Sequence, residues 1–192
     1  EIYNKLLHLK QQNNDETDLE SVYYNLASIN NILNDKVTSL QYIKKAIYYS
    51  IKTRSSEIEA NTYQLLATIY EGESKNDSAK YYFEKSYHLA KQGGFIRCLV
   101  TTCREFSDFL RKQKNYKQAL VLAQESYDLA QKIDSQSEKK EASLSLSLAY
   151  EKNGDVKNAL FYFKQFFFTT DSMVKANNEK EILKKQLDFD HE

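Results

Sequence analysis

Leu26-Ala27-Ser28-Ile29, followed by Asn34-Asp35 and then Ser39-Leu40-Gln41-Tyr42-Ile43, returns three more times at one fixed interval. A step of 40 residues carries Ser39 to Ala79, Ala119 and Ala159, and Leu26 to Leu66, Phe106 and Leu146. The same step carries Ala27 to Ala67, Ser107 and Ser147, and Tyr42 to Tyr82, Leu122 and Tyr162. It also carries Ile43 to Phe83, Ala123 and Phe163, with no gap anywhere in the register. Self-similarity at such a period marks a stack of supersecondary units, each burying its apolar face against the next.

Composition agrees. The 192 residues include no Pro and only four Gly, which suits a nearly all-helical chain whose interior tolerates no breakers. Fifteen Tyr and ten Phe supply rings for thin helical layers, where a tyrosine packs its ring and keeps its hydroxyl wet. Lys and Arg (27) balance Asp and Glu (27), so the basic excess of a nucleic-acid binder is absent. No apolar run approaches the roughly 20 residues of a membrane-spanning helix. Cys98 and Cys103 lie five apart on one expected helix, a spacing that separates them around the axis and disfavours a disulfide between them.

The register divides the chain into a partial unit over 1–11, which is the second helix of a repeat, and four units over 17–54, 56–93, 96–133 and 136–171. A separate charged helix over 172–192 is expected to cap the stack or lead into a coiled coil, with a narrow stripe of Ile182, Leu183, Leu187 and Phe189. The start at Glu1, in mid-repeat, implies an excised segment of a longer protein. Thr17-x-x-Glu20 and Ser56-x-x-Glu59 match capping boxes, and Ser135-Gln136-Ser137-Glu138 opens the fourth unit. Asp35 starts a second helix, Gly93-Gly94 ends one, and Asn153-Gly154-Asp155 makes a turn. The first helix carries an apolar stripe of Val22, Tyr23, Leu26, Ile29 and Leu33. Phe166 fills a small position of the fourth unit, and Phe167 and Phe168 are expected to pack against the 172–190 helix.

In every unit the small residue of the first helix lies 12 positions before the small residue of the second: Ala27/Ser39, Ala67/Ala79, Ser107/Ala119 and Ser147/Ala159. With large residues at fixed places (Tyr23, Leu26 and Asn30; Tyr63, Leu66 and Tyr70) and Asp35, Asn115 or Asp155 at the turn, residues 17–171 resemble the tetratricopeptide repeat family. The unit is 40 residues where the family has about 34, and the signature proline is missing throughout. The resemblance implies an all-α fold, a right-handed α-α superhelix (TPR solenoid) of antiparallel helix pairs with a C-terminal capping or linker helix.

In that family the first helices line a concave wall. The resemblance therefore puts Tyr24, Ser28, Asn31, Asn61, Gln64, Thr68, Glu71, Arg104, Asp108, Arg111, Leu144 and Leu148 on a partner-binding groove, with Ser21, Thr101, Glu141 and Glu151 beside them. Polar, rotatable groups with a few aromatics suit the backbone of a bound peptide. Arg104 and Arg111 suggest a bidentate grip on a carboxylate, while Arg104 and Asp108, four apart, are expected simply to pair along the helix. The family's carboxylate-clamp positions are mostly unmatched.

No glycine-rich phosphate loop occurs, and His8, His88 and His191 fall on different elements, so no metal, no cofactor and no catalytic site is expected. Cys103 replaces the packing residues Tyr23 and Tyr63 and reads as core. The expected function is non-catalytic binding of a protein or peptide, without nucleic acid or membrane contact by this segment. The tail from Phe161 to Asp190 resembles the ends of repeat arrays in bacterial histidine kinases and transcriptional regulators. That implies a sensory or regulatory input region of a two-component system, with dimerisation through 172–190 and a periplasmic setting favoured over a cytoplasmic one. A free-standing scaffold, or a cytoplasmic receptor for a short signalling peptide, is the alternative.

Overall fold

The structure, a computed structural model, describes residues 2–190, and their side chains except those of 183, 185 and 187–190. Its helices are α1 (Ile2–Gln12), α2 (Leu19–Ile32), α3 (Lys36–Thr53), α4 (Ser56–Gly72), α5 (Asn76–Gly93), α6 (Ile96–Lys112), α7 (Tyr116–Ala130), α8 (Gln136–Lys152) and α9 (Val156–Asp190). There is no strand among the described residues. The chain divides within α6 into two compact units, the first ending at Glu105 and the second beginning at Phe106.

The turn inside each repeat is built the same way four times. Asn34, Ser74, Lys114 and Gly154, spaced by the repeat, all adopt positive φ (62°, 60°, 62° and 83°). The next residue's N–H then reaches back to close the helix: Asp35 to the Asn30 carbonyl, Lys75 to Tyr70, Asn115 to Leu110 and Asp155 to Tyr150, at 2.8–3.0 Å. With the i→i−3 bonds Asn34 to Asn31, Ser74 to Glu71, Lys114 to Arg111 and Gly154 to Glu151, these are Schellman motifs that satisfy the last carbonyls of each first helix. Gly154 meets the positive φ without a Cβ, whereas Ser74 and Lys114 meet it at a steric cost. The return turns reuse the device at Arg54 and at Gly94, the residue following Gly93 at the end of α5.

Asp35 accepts from the Thr38 N–H at 3.1 Å, Asp155 from the Asn158 N–H at 3.0 Å, and Ser135 from the Glu138 N–H at 3.3 Å. Each caps the helix that follows. The two capping boxes expected earlier in the chain do not form. Asp15, held by Lys10 at 2.8 Å, takes both the N–H and the hydroxyl of Thr17. The chain then turns through a left-handed Asp18, and Glu20 is buried in place of reaching back. Ser56 is already helical, the preceding Ser55 makes no side-chain cap, and Glu59 accepts instead from the Tyr63 hydroxyl at 2.9 Å.

The helices of each pair cross at the small residues. In the first unit the Ser39 hydroxyl donates to the Ala27 carbonyl at 2.8 Å, and Ala67 and Ala79 are both fully buried. In the second unit Ser107 donates to Ala119 and Ser147 to Ala159, each at 2.7 Å. Around these crossings lie Val22, Tyr23, Leu26, Ile43, Leu66 and Ile69 in the first unit, and Ala123, Leu146 and Ala149 in the second. Tyr23 stacks on Tyr42 and Tyr49, Tyr82 lies between Tyr63 and Tyr70, and Tyr162 between Tyr127 and Tyr150. Ile29 and Leu33, expected in the stripe, are exposed, Leu33 because it lies past the end of α2.

α9 runs unbroken from Val156 to Asp190, since nothing between 156 and 190 ends a helix: Pro and Gly are both absent there. Phe167 and Phe168 thus have no separate helix to pack on, and both are exposed. Of the stripe expected on the last stretch, Ile182 is exposed, while the side chains of Leu183, Leu187 and Phe189 lie outside the described residues.

Two measurements check this account. Lys114→Gly relieves a left-handed Cβ and is offset by a freer unfolded chain, so chemical denaturation should show a gain of about 0.5–1 kcal/mol. The side chain and backbone of Thr38 hold the Asp35 carboxyl below its ordinary value of 3.8. A depressed carboxylate stabilises the fold above its unfolded pKa and loses that contribution as pH falls through the folded one. Asp35→Asn keeps the capping oxygen without the titration, so stability should fall less steeply than in the parent below about pH 4. An unchanged acid slope would show that the cap does not titrate with folding.

Candidate functional site

Every first-helix residue expected on the binding face is half-buried: Tyr24, Ser28 and Asn31 on α2, Asn61, Gln64, Thr68 and Glu71 on α4, and Arg104 on α6 in the first unit. α2 and α4 pack directly on each other, which brings their residues onto neighbouring helices. Tyr24 wedges its ring against both core clusters of this unit, and burial pushes its hydroxyl pKa up, the charges of Cys98 and Glu105 adding to the effect. Asn31 and Asn61 make no side-chain hydrogen bond among the described residues.

The centre of this surface is Glu105, which the sequence reading did not single out. One oxygen accepts from Gln64 Nε2 and from Thr68 Oγ1, the latter at 2.9 Å, and the other from the Arg104 guanidinium at 3.1 Å. The carboxylate therefore ties α6 to α4 and fixes three of the expected binding residues in place. A signal for it existed, because its register partners Asn25, Leu65 and Ser145 are all uncharged.

In the second unit Asp108 accepts from Arg111 and from Ser145 Oγ, both at 3.2 Å, linking α6 to α8. Leu144 and Leu148 sit half-buried on α8. The expected Arg104–Asp108 pair does not form: Glu105 engages Arg104, and Asp108 engages Arg111 three residues on. Each guanidinium is held by a carboxylate of its own unit and retains a buried Nε with no hydrogen-bond partner.

Cys98 and Cys103 are not joined in a disulfide and are 3% and 0% exposed, and burial raises the Cys98 pKa despite its 3.8 Å contact with Thr102. Burial keeps such a thiol protonated and inert. No group of three His, Cys, Asp or Glu among the described residues could hold a metal, and His191 lies outside them. No described helix is long and apolar enough to cross a membrane.

Neither a family model nor a curated protein sequence matches the chain. Solved structures do. BtubC (BKLC) from P. vanneervenii superposes with a TM-score of 0.72 at 14% identity, over 89% of this chain and 71% of that one. A putative kinesin light chain of nearly identical TPR-like repeats from Podosopora anserina gives 0.55 at 14% identity, over 89% and 94%. The all-helical fold of this chain is thus that of TPR-like repeat solenoids.

The Glu105 hub carries its own test. Glu105→Ala leaves Gln64, Thr68 and Arg104 without their shared acceptor, and denaturant unfolding should register a loss of about 1–3 kcal/mol. Glu105→Gln, which keeps an acceptor oxygen, should lose less. Equal losses would mean that the carboxylate's charge, which Gln lacks, rather than an acceptor oxygen or the bulk of the side chain, holds α4 to α6.

Proposed function

We propose that this chain is a non-catalytic interaction module that binds a protein or peptide through the first-helix faces of its repeats, acting as a scaffold. The supporting observation is the pair Asn31 and Asn61. Both are half-buried amides on helices that pack together, with donors and acceptors left unused by the fold. Such groups suit the N–H and C=O of a bound chain, which need partners when taken out of water. TPR-like repeats work in general by presenting helix surfaces to protein partners. Tyr24 supplies a rigid aromatic contact beside them, at low entropic cost. In the second unit Leu144 and Leu148 offer an apolar contact.

A second reading, an input region that passes binding on to an attached output domain, draws on the unbroken α9, which continues from the fourth repeat into the tail without a hinge. The same stretch of α9 is where a second copy would dimerise under that reading. The balance favours the scaffold, for which the accessible repeat faces suffice.

Selection of peptides from a random displayed library on the immobilised chain tests the proposal. Selected peptides should bind the double variant Asn31→Arg, Asn61→Arg at least about tenfold more weakly. They should bind Phe167→Ser, altered on α9, as tightly as the parent. Binders indifferent to the asparagines would locate recognition elsewhere and remove this reading.

A further inference from the structure

The face of the second repeat formed by α4 and α5 carries a cleft that plays no part in the proposed binding surface. Its volume is about 410 Å³, and its walls include Glu59, Tyr63, Tyr81, Glu84, Lys85 and His88. Clefts from roughly 300 Å³ upward are of the size that holds small ligands. The Lys85 ammonium lies 4.9 Å from the centre of the Tyr63 ring and 5.1 Å from that of Tyr81, so a cation already rests between two aromatic faces. Glu59 accepts the Tyr63 hydroxyl at 2.9 Å and so fixes that ring. Glu84 stands only 3.9 Å from the exposed Lys80.

We propose that this cleft is a binding site for an organic cation, a guanidinium or ammonium group, which takes the place that Lys85 occupies between Tyr63 and Tyr81. The electron-rich ring faces attract a cation, and the attraction grows as water is excluded. Glu59 and Glu84 set opposite charge beside the entering cation, and any N–H groups it carries find acceptors there. Lys85 is exposed and carried on a flexible stem, so it can swing into solvent as a ligand enters.

Comparison among the repeats separates this from simple packing. One step back, Lys45 lies over Tyr23 at 5.2 Å, the same lysine-on-ring contact. There, however, Leu19, Gln41 and Lys44 stand where the second repeat has Glu59, Tyr81 and Glu84. One step on, the positions hold Leu99, Cys103, Val121 and Gln124, and two steps on, Lys139, Ser143, Phe161 and Lys164. Packing of the helix pair is met in all four repeats. Both aromatic faces together with the two carboxylates occur in one.

The test is a titration of the purified chain with choline and with the tripeptide Gly-Arg-Gly, read by the NMR ring resonances of Tyr63 and Tyr81. Lys85→Met, which keeps the stem and removes the competing charge, should tighten binding by about tenfold. Tyr81→Phe keeps the ring face and should bind within about twofold of the parent, whereas Tyr81→Ala should lose binding. Tyr81 is exposed, so its loss leaves the core intact, which circular dichroism would verify. Binding of choline identifies a free small cation as the natural occupant, and binding of the tripeptide alone identifies an arginine of a partner protein. Absence of any ring shift in both the parent and Lys85→Met, or binding indifferent to Tyr81→Ala, overturns the proposal.

Discussion

Everything in either unit depends on how closely the two helices of a pair can approach. The backbones meet at Ala27/Ser39 and Ala67/Ala79 in the first unit, and at Ser107/Ala119 and Ser147/Ala159 in the second. A longer side chain at any of these places would separate the helices by more than the surrounding residues could fill. Where one member is serine, its hydroxyl spends its hydrogen bond on the backbone carbonyl across the crossing. The polar atom is thereby satisfied within the contact, and burial costs little. The tyrosine stacks, the leucines and the register of every surface position follow from that distance.

The turns impose the second constraint. A Schellman motif fixes the direction in which the chain leaves a helix, and here the motif recurs with the repeat even where its left-handed residue is serine or lysine. The steric cost at Ser74 and Lys114 is accepted because the residue that follows must arrive at the start of α5 or α7 with the small residues in register. Backbone geometry is held constant while side chains drift.

With the scaffold fixed by small residues and turns, the half-buried positions are free to differ between repeats. The first unit uses that freedom twice. On the first-helix face, Glu105 gathers Gln64, Thr68 and Arg104 while Asn31 and Asn61 keep their amides available. On the face formed by α4 and α5, Tyr63 and Tyr81 hold Lys85 beside two carboxylates. Neither arrangement contributes to the helix crossing, and neither is repeated along the chain.

The sequence by itself determined the repeat, its 40-residue period, the small crossing pairs, the start of a second helix at Asp35 and the turn at Asn153-Gly154-Asp155. All of these depend on local backbone geometry or on periodicity, which a linear pattern records. Only the tertiary structure decided the partners. Asp15 took the Thr17 N–H that Glu20 would have accepted in a capping box, Tyr63 took Glu59, and Glu105 and Asp108 divided the two arginines between them. A carboxylate bonds whichever donors the packing brings within about 3 Å. That choice is made by the approach of helices far apart in the chain, Gln64 to Glu105 and Asp108 to Ser145, and no spacing within one helix encodes it.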